Sequence, residues 1–189
     1  MNQADLEKAL ETLRRGGIIL YPTDTVWGIG CDATRADAVS RIFRLKGRED
    51  SKAMITLTDS EENLERWVDG VPDVAYELIK AAVNPITIIY DQAAIPPLAP
   101  NLAAADGSLA VRVTRHAFSR ELCRRLKRPL VSTSANISGK PTPRTFSEIS
   151  PEIINGADYV CTSERDRTNP KPSTIMKLTR SGVITIIRP

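Results

Sequence analysis

Apolar residues recur at intervals of three and four along several stretches of the chain, which is the spacing of one helix face. The first stretch carries Leu6, Ala9, Leu10 and Leu13, and the glycine pair at 16–17 ends it. The same spacing predicts further helices at residues 36–45, 61–68, 73–82 and 118–126. Short β-branched or apolar runs predict buried strands at 18–21, 53–57, 86–90, 109–113, 130–132, 158–161, 174–178 and 183–187.

Strands and helices alternate through most of the chain, which is typical of an α/β domain. The late strands have little helix between them, so a purely parallel sheet is not expected. A length of 189 residues suits one sizeable domain, and no linker or internal repeat divides it. We therefore expect a single α/β domain over residues 1–189, with a twisted, mixed sheet and flanking helices. The stretches 95–105 and 134–144 are predicted to be loops.

The composition excludes several classes of protein. Hydrophobic residues make up 41% and charged residues 26% of the chain, as in ordinary globular domains. No run approaches the roughly 20 apolar residues of a membrane span, and the amphipathic, acid-containing N-terminus does not resemble a signal peptide. We therefore expect a cytoplasmic protein without a membrane partner. Cys31, Cys123 and Cys161 are widely spaced, which indicates reduced, mostly buried thiols and neither zinc nor disulfides.

Charge is distributed unevenly, although the net charge is only +3. Cations crowd residues 41–52 and again residues 112–128. Solvated helix faces explain such crowding as well as nucleic-acid binding does, and the net charge does not decide between them. The only histidine, His116, has no Cys or second His beside it, so we expect a surface or hydrogen-bonded residue and not a metal ligand.

The segment YPTDTVWGIG at 21–30 is the first with chemical character. Hydroxyl groups flank an acid where a strand ends, and glycines allow the backbone to approach a ligand closely. The alternative is a plain turn in which Asp24 caps its own backbone. Gly28, Gly30 and Ala33 also match the dinucleotide-binding pattern GxGxxA, but residues 22–27 separate them from the strand, which argues against that fold.

Basic residues mark two further segments. Lys46 and Arg48 flank Gly47 at the end of a predicted helix, and a point charge beside a planar fork suits phosphates or a carboxylate. The alternative is that both cations complement the dipole of the helix C-terminus. Arg112 lies inside an apolar strand, where a charge needs either a structural ion pair or a wet cavity.

A run of hydroxyl side chains lies in the sequence PLVSTSANISG at 129–139. Ser and Asn side chains together with free backbone N–H groups can form a cradle for oxyanions. The triplet at 138–140, SGK, is only a fragment of a phosphate loop, so an ordinary P-loop hydrolase is disfavoured. The segment KPST at 171–174 and the late Arg188 are weaker candidates, because a strand start or a surface arginine would look the same.

Taken in order, these segments resemble the YrdC family of threonylcarbamoyl-AMP synthases, in its short, single-domain form. The matching series is PTDTVWGIG, KGR, LAVRV, STSANISG, PSTI and IIRP, spread over nearly the whole chain. The resemblance implies a twisted sheet around a deep, basic cavity. It also implies formation of threonylcarbamoyl-AMP and pyrophosphate from L-threonine, bicarbonate or CO2, and ATP. The product would serve a downstream threonylcarbamoyl transferase complex that modifies a tRNA adenosine.

The resemblance also implies roles for individual residues. The threonine site would comprise Thr25, Arg112 and Ser173, with Arg112 near the threonine carboxylate. The nucleotide site, with Lys46 and Arg48 as its catalytic cations, would comprise Lys46, Arg48, Ser132, Ser134, Asn136 and Arg188. No acidic cluster for a metal is evident, so Mg2+ is expected to be carried mainly by the ATP phosphates. No Ser-His-Asp or Cys-His arrangement is evident either, so no covalent enzyme intermediate is expected.

The chain departs from the family pattern at three places. Trp27 replaces Tyr or Phe as the ring of a pocket wall, Leu57 lies where some relatives carry a histidine, and Asn84-Pro85 replaces Trp-Pro-Gly-Pro.

Two alternative functions remain open. One is a YrdC-like module that binds tRNA or double-stranded RNA without synthase activity, and such binding would depend on salt concentration. Another is carbamoyl transfer to a different acceptor, as in larger maturation enzymes with the same fold. The KGR and SAN segments favour the synthase over the RNA-binding module, because a related paralogue branch of the family lacks these segments.

Overall fold

The computed structural model describes residues 2–47, 54–168 and 172–189. Within them lie α1 (Gln3–Arg14), α2 (Ala36–Lys46), α3 (Asp73–Ala81), α4 (Ala117–Leu126) and α5 (Pro151–Gly156), with 3-10 helices at Glu61–Arg66 and Phe146–Glu148. The strands are β1 (Ile19–Tyr21), β2 (Gly28–Gly30), β3 (Ile55–Thr58), β4 (Ile86–Tyr90), β5 (Leu109–Val113), β6 (Leu130–Ser134), β7 (Tyr159–Val160), β8 (Thr174–Leu178) and β9 (Ile184–Arg188).

The strands of the described residues join one mixed sheet in the order β7-β1-β2-β6-β3-β5-β4-β8-β9. The pairs β1–β7, β3–β5 and β4–β8 are parallel, and the other neighbours are antiparallel. Helices α1 and α4 pack against each other, and the apolar face of α1 joins the core through Leu6, Leu10 and Leu13. The predicted single-domain α/β fold with a mixed sheet and flanking helices is confirmed.

Several elements differ from the sequence prediction. Residues 28–30, for which no strand was predicted, form strand β2. A Cβ on Gly30 would lie 2.0 Å from the carbonyl oxygen of Val131, so the close approach of β6, and not of a ligand, requires this glycine. Glu61–Arg66 is a 3-10 helix and not an α-helix. The short helix α5 is absent from the prediction because its length gives too little periodicity. Ala53, the predicted start of β3, lies outside the described residues.

Sulfur and imidazole groups serve the packing of the fold. The three cysteines are buried and unpaired, as predicted, and burial raises the pKa of each thiol. His116 precedes α4, and its Nε2 lies 3.1 Å from a carboxylate oxygen of Glu164, so it is a hydrogen-bonded histidine. None of the helices in the described part of the chain has the length and apolarity needed to cross a membrane.

Strand β9 forms one edge of the sheet and pairs only with β8. Its residues are exposed along their whole length, including the apolar side chains of Ile184, Ile186 and Ile187. An irregularity in the pairing after Ile175 brings Arg188 opposite that residue. Arg188 is therefore placed by an edge strand that has a single neighbour.

The connection from β7 to β8 runs from the first strand in the sheet order to the eighth. Asp5 of α1 binds the first residues of this connection. The Asp5 carboxylate accepts hydrogen bonds from the Tyr159 hydroxyl at 2.7 Å and from the backbone N–H groups of Thr162 and Ser163 at 2.9 and 2.8 Å. Burial works to raise the pKa of Asp5, but hydrogen bonds from Ser163, Tyr159 and Thr162 outweigh it and hold the pKa below its ordinary value.

We expect Asp5→Asn to lower the free energy of unfolding at neutral pH by about 1–3 kcal/mol, because hydrogen bonds to a charged acceptor are lost. A lowered pKa means that this contribution is complete above the carboxyl's unfolded pKa and disappears as the pH falls through the folded pKa. Urea unfolding should therefore show the gap between wild type and variant closing as the pH drops below the ordinary carboxyl value of 3.8.

The matched control for this prediction is Glu77→Gln, which changes an exposed carboxylate on α3. The control should leave the free energy of unfolding unchanged at neutral and acidic pH. A difference between wild type and Asp5→Asn that does not vary with pH would contradict the ionised role of Asp5.

Candidate functional site

A cavity of about 220 Å³ opens where strands from distant positions of the sheet face each other. Strands β2 and β6 are third and fourth in the strand order, whereas β8 and β9 lie at its far end. Residues from all four line this one cavity, so the sheet curls strongly around it. Most of the predicted site residues line it, namely Thr25, Arg112, Ser132, Ser134, Ser173 and Arg188.

The lining of this cavity combines cations with hydroxyl groups. Its described lining residues include Arg112 and Arg188 but no Asp or Glu. The hydroxyl groups come from Thr23, Thr25, Ser132, Thr133, Ser134, Thr142 and Ser173. Such a lining favours an anionic ligand that carries several oxygen atoms.

Arg112 is held inside strand β5 by an ion pair. Its side chain is 3% exposed, and its Nη2 lies 3.3 Å from Oδ1 of Asp24, whose side chain is 12% exposed. Nη1 donates a hydrogen bond to Oγ1 of Thr25 at 3.2 Å. A buried guanidinium is tolerated only with partners of this kind. Both interpretations of Arg112 from the sequence therefore hold, because it has a structural ion pair and also lines the cavity.

Asp24 is the site residue whose role the sequence interpretation missed. Its carboxylate faces Arg112, with Oδ2 3.5 Å from the Thr114 hydroxyl, and does not cap its own turn. The contact with Arg112 has an ion-pair distance without hydrogen-bond geometry, since Oδ1 receives no hydrogen bond from the described residues. The available signal was an arginine inside a strand together with one acid in the loop after β1, a strand that lies four places from β5 in the sheet.

The loop 22–27 is organised by the hydroxyl group of Thr23. Its Oγ1 donates to the carbonyl oxygen of Val26 at 2.7 Å and accepts the backbone N–H of Thr25 at 3.1 Å. The same oxygen lies 3.1 Å from Oγ1 of Thr25. These bonds fix the Thr25 hydroxyl beside Arg112 without any ligand.

Ser173 and Arg188 form another wall of the cavity. The Ser173 hydroxyl lies 2.8 Å from the Thr87 hydroxyl. Arg188 donates to the carbonyl oxygen of Ser173 from Nε at 3.1 Å and from Nη2 at 2.7 Å. Burial, together with repulsion from Arg112, lowers the pKa of Arg188. An anion bound between the two guanidinium groups would relieve this repulsion.

Strands β2 and β6 provide the hydroxyl-lined wall. In their register Gly28 lies opposite Ser134. A Cβ on Gly28 would lie 3.2 Å from the Ser132 hydroxyl oxygen and 3.0 Å from the methyl group of Thr23. Glycine at this position therefore keeps open the space that these side chains share, as a ligand-binding role requires.

Three predicted nucleotide contacts are not among the described residues that line this cavity. Arg48 lies outside the described residues. Lys46 is 2% exposed, and its Nζ donates to the carbonyl oxygens of Ser134 and Asn136, both at 2.5 Å. Asn136 lines an adjacent cavity of about 410 Å³, which shares Thr142 with the first. The roles of Lys46, Arg48 and Asn136 in nucleotide binding stay predictions.

The departures from the family pattern lie outside the described wall of the 220 Å³ cavity. Trp27 is fully buried, with its ring 5.0 Å from that of Phe146, so it belongs to the core and not to this wall. Leu57 is buried on β3, opposite Arg112. Asn84 and Pro85 line a separate cavity of about 120 Å³, which Asp24 also borders.

The cations of helix α4 and its C-terminal turn are largely paired. Arg124 contacts Glu121 at 2.5 Å, Arg125 contacts Glu7 at 2.7 Å, and Arg128 contacts the buried Asp32 at 2.8 Å. Ion pairs of this kind favour the interpretation of a solvated helix face over that of a nucleic-acid surface.

Comparison with known proteins agrees with this geometry. The Sua5/YciO/YrdC family model, described as "Telomere recombination", matches residues 11–189. Threonylcarbamoyl-AMP synthase of Stenotrophomonas maltophilia (strain K279a) is 37% identical over 166 residues, which cover 87% of this chain and 89% of the relative. The protein of that name from Thiobacillus denitrificans (strain ATCC 25259 / T1) is 35% identical over 173 residues, covering 91% and 90%.

Solved structures share the fold. P. abyssi Sua5 complexed with L-threonine matches with a TM-score of 0.83 and 26% identity, covering 94% of this chain and 52% of the Sua5 chain. This chain thus spans about half the length of that relative. E. coli YciO matches with a TM-score of 0.85 and 24% identity, covering 99% and 89%, which bears on the fold alone. Since the family model covers nearly the whole sequence, this chain belongs to the Sua5/YciO/YrdC family.

Proposed function

We propose that this protein is an L-threonylcarbamoyladenylate synthase, which forms threonylcarbamoyl-AMP and pyrophosphate from L-threonine, bicarbonate or CO2, and ATP. The observation that carries the proposal is one cavity in which Arg112, Arg188 and hydroxyl groups from distant segments converge, with no acid among the described lining residues. Relatives at 35% and 37% identity bear the name threonylcarbamoyl-AMP synthase, and Sua5 with bound L-threonine shares the fold. The reaction class would be nucleotidyl transfer.

The amino acid is assigned to the Arg112 end of the cavity. Arg112 pairs with the carboxylate of L-threonine in this proposal, because a guanidinium fork matches a carboxylate. The Thr25 hydroxyl already lies 3.2 Å from Nη1 of Arg112 and supplies a second polar contact. Ser173 supplies a hydroxyl from another wall. Asp24 holds the guanidinium in place at 3.3 Å.

The nucleotide is assigned to the hydroxyl-lined wall and to Arg188. Ser132 offers a hydroxyl donor to phosphate oxygens, and Arg188 offers the second positive charge. Ser134 lines the same wall, with its hydroxyl donating to Oδ1 of Asn136. Arg48 and Asn136 are proposed to complete this site. The described lining residues provide no carboxylate for a resident metal, so ATP is proposed to arrive with Mg2+ already on its phosphates.

The proposed reaction needs positioning more than covalent help. The neutral threonine amine adds to CO2 and releases a proton to solvent, which gives a carbamate. A carbamate oxygen then forms a bond to the α-phosphorus of ATP while the bond from that phosphorus to the leaving pyrophosphate breaks. Arg112 holds the amino acid, and Arg188 balances negative charge that accumulates on the phosphates. Fixed hydroxyl groups keep the attacking oxygen and the leaving group in line.

The product defines the proposed partners. Threonylcarbamoyl-AMP is a reactive mixed anhydride, so a downstream threonylcarbamoyl transferase complex in the cytoplasm is proposed to pass the group to a tRNA adenosine. Direct binding of tRNA or double-stranded RNA is a weaker candidate for this chain, because the α4 cations are largely paired with acids.

Pyrophosphate release from ATP and bicarbonate should depend strictly on L-threonine, because the carbamate of the amino acid is the attacking group. A coupled pyrophosphate assay with and without L-threonine measures this dependence, and L-alanine, which lacks the hydroxyl, is the matched control substrate. Release that ignores threonine would contradict the proposal. Absence of turnover together with tight, salt-sensitive RNA binding would select the RNA-binding module instead.

Arg188→Met should weaken binding of pyrophosphate by about 10- to 100-fold, because a charge-assisted hydrogen bond contributes about 1.5–3 kcal/mol. Isothermal titration with Mg2+-pyrophosphate measures the change, after circular dichroism confirms folding. The control is Arg180→Met, which removes an exposed arginine paired with Asp69 at 3.1 Å and should leave the affinity unchanged. Equal affinities for Arg188→Met and wild type would remove Arg188 from the proposed site.

A further inference from the structure

Lys46 occupies a buried position between helix α2 and the turn that follows β6. It is the last residue of α2, and its side chain is 2% exposed. Its ammonium group donates to the carbonyl oxygens of Ser134 and Asn136. In return, the backbone N–H of Ser138 donates to the carbonyl oxygen of Lys46 at 2.8 Å. We call the turn at 134–140 the cradle turn. The end of α2 thus both donates hydrogen bonds to the cradle turn and accepts one from it.

Asn136 closes the cradle turn from inside. Its Oδ1 accepts a hydrogen bond from the Ser134 hydroxyl at 2.5 Å. Its Nδ2 donates to the carbonyl oxygens of Ile137 at 3.1 Å and Lys140 at 2.6 Å. Within the described residues, the polar atoms of the Lys46 and Asn136 side chains therefore engage the backbone and hydroxyl of this turn.

We propose that Lys46 is a positioning residue, whose ammonium group shapes the cradle turn and thereby holds the end of β6 so that Ser132 presents its hydroxyl to the bound anion. The identity of the anion rests on the proposed function. The effect of Lys46 on the shape of the turn does not depend on that function. Two carbonyl oxygens that converge on one point repel each other, and a cation between them removes that repulsion. Lysine suits this place because its charge is compact, whereas the planar fork of arginine needs more space.

The consequence for the reaction is an anion site that is formed before the nucleotide arrives. Donors that are already oriented need no rearrangement when charge develops on the phosphates. Lys46 would then act on ATP through the cradle turn and Ser132, while Arg188 acts on it directly. Loss of each residue weakens nucleotide binding, but only loss of Lys46 changes the turn in the ligand-free protein.

Amide hydrogen exchange of the ligand-free protein distinguishes the two roles. Lys46→Met removes the charge and keeps much of the apolar stem, and it should speed exchange in the peptide covering 134–140 by on the order of 10-fold, as local opening becomes easier. The matched control is Arg44→Met, which removes an exposed cation two residues before Lys46 on the same helix. Arg188→Met removes a cation of the cavity, and both it and the control should leave exchange of this peptide at the wild-type rate.

Steady-state kinetics provide a second measurement, the KM for ATP, which a general loss of stability would not change. Lys46→Met should raise the KM for ATP by about 10-fold or more while changing the KM for L-threonine by less than about 2-fold, because the side chains of Thr25 and Arg112 are held by Thr23, Asp24 and each other. A variant that is merely less folded would lose kcat with both KM values unchanged. Lys46→Arg keeps the charge and should rescue neither the ATP KM nor the exchange rate.

The outcomes separate this proposal from its competitors. Unchanged exchange in ligand-free Lys46→Met, with a weakened ATP KM, would overturn it in favour of direct phosphate contact. Recovery of the ATP KM by Lys46→Arg would do the same. If Lys46→Met fails to fold, exchange in Lys46→Arg decides, and wild-type protection there overturns the proposal. A protein without synthase activity would still show the exchange effect, so the two proposals fail separately.

Discussion

A positive charge inside a β-strand is the constraint on which the rest of the site depends. Arg112 lies in the middle of the sheet, in register with Leu57 of β3, and its guanidinium needs a counter-charge that the strands do not provide. The loop after β1 supplies Asp24 and the Thr25 hydroxyl, so this loop has to fold over β5. The position of the loop, the curl of the sheet and the opening of the cavity therefore follow from the need to neutralise one buried cation.

The order of the motifs predicted six of the residues that line the cavity, and local pattern alone would not have done so. Thr25, Arg112, Ser132, Ser134, Ser173 and Arg188 come from segments far apart in the sequence, and the family resemblance is what placed them together. Periodicity predicted the helices and most strands because it reports burial of apolar positions. It does not report which buried polar atoms meet, so the Asp24–Arg112 pair and the inward Lys46 were beyond it. Strand β2 was missed because two of its residues are glycines, whose role is to let β6 approach.

Several of the basic residues near helix α4 are neutralised by nearby acids and do not form a continuous positive surface. The net charge of +3 conceals ion pairs at helix α4 and just beyond it, where Arg124, Arg125 and Arg128 contact Glu121, Glu7 and Asp32. Of the two cavity arginines, by contrast, only Arg112 contacts an acid among the described residues, namely Asp24. The excess positive charge is thus concentrated where hydroxyl groups also converge. Burial lowers the pKa of Arg188, and repulsion from Arg112 lowers it further. A crowded run of basic residues in a sequence is therefore a poorer guide to an anion site than a single arginine inside a strand.

The exposed edge strand β9 gives the cavity an unusual dependence. Arg188 is attached to the least covered part of the sheet, where backbone hydrogen bonds run to β8 alone. By thermodynamic reciprocity, whatever free energy a phosphate gains from Arg188 is also gained by the ordered form of that strand. Binding of the ligand and ordering of β9 are consequently coupled, and fraying of β9 would withdraw Arg188, one of the two described arginines that line the cavity.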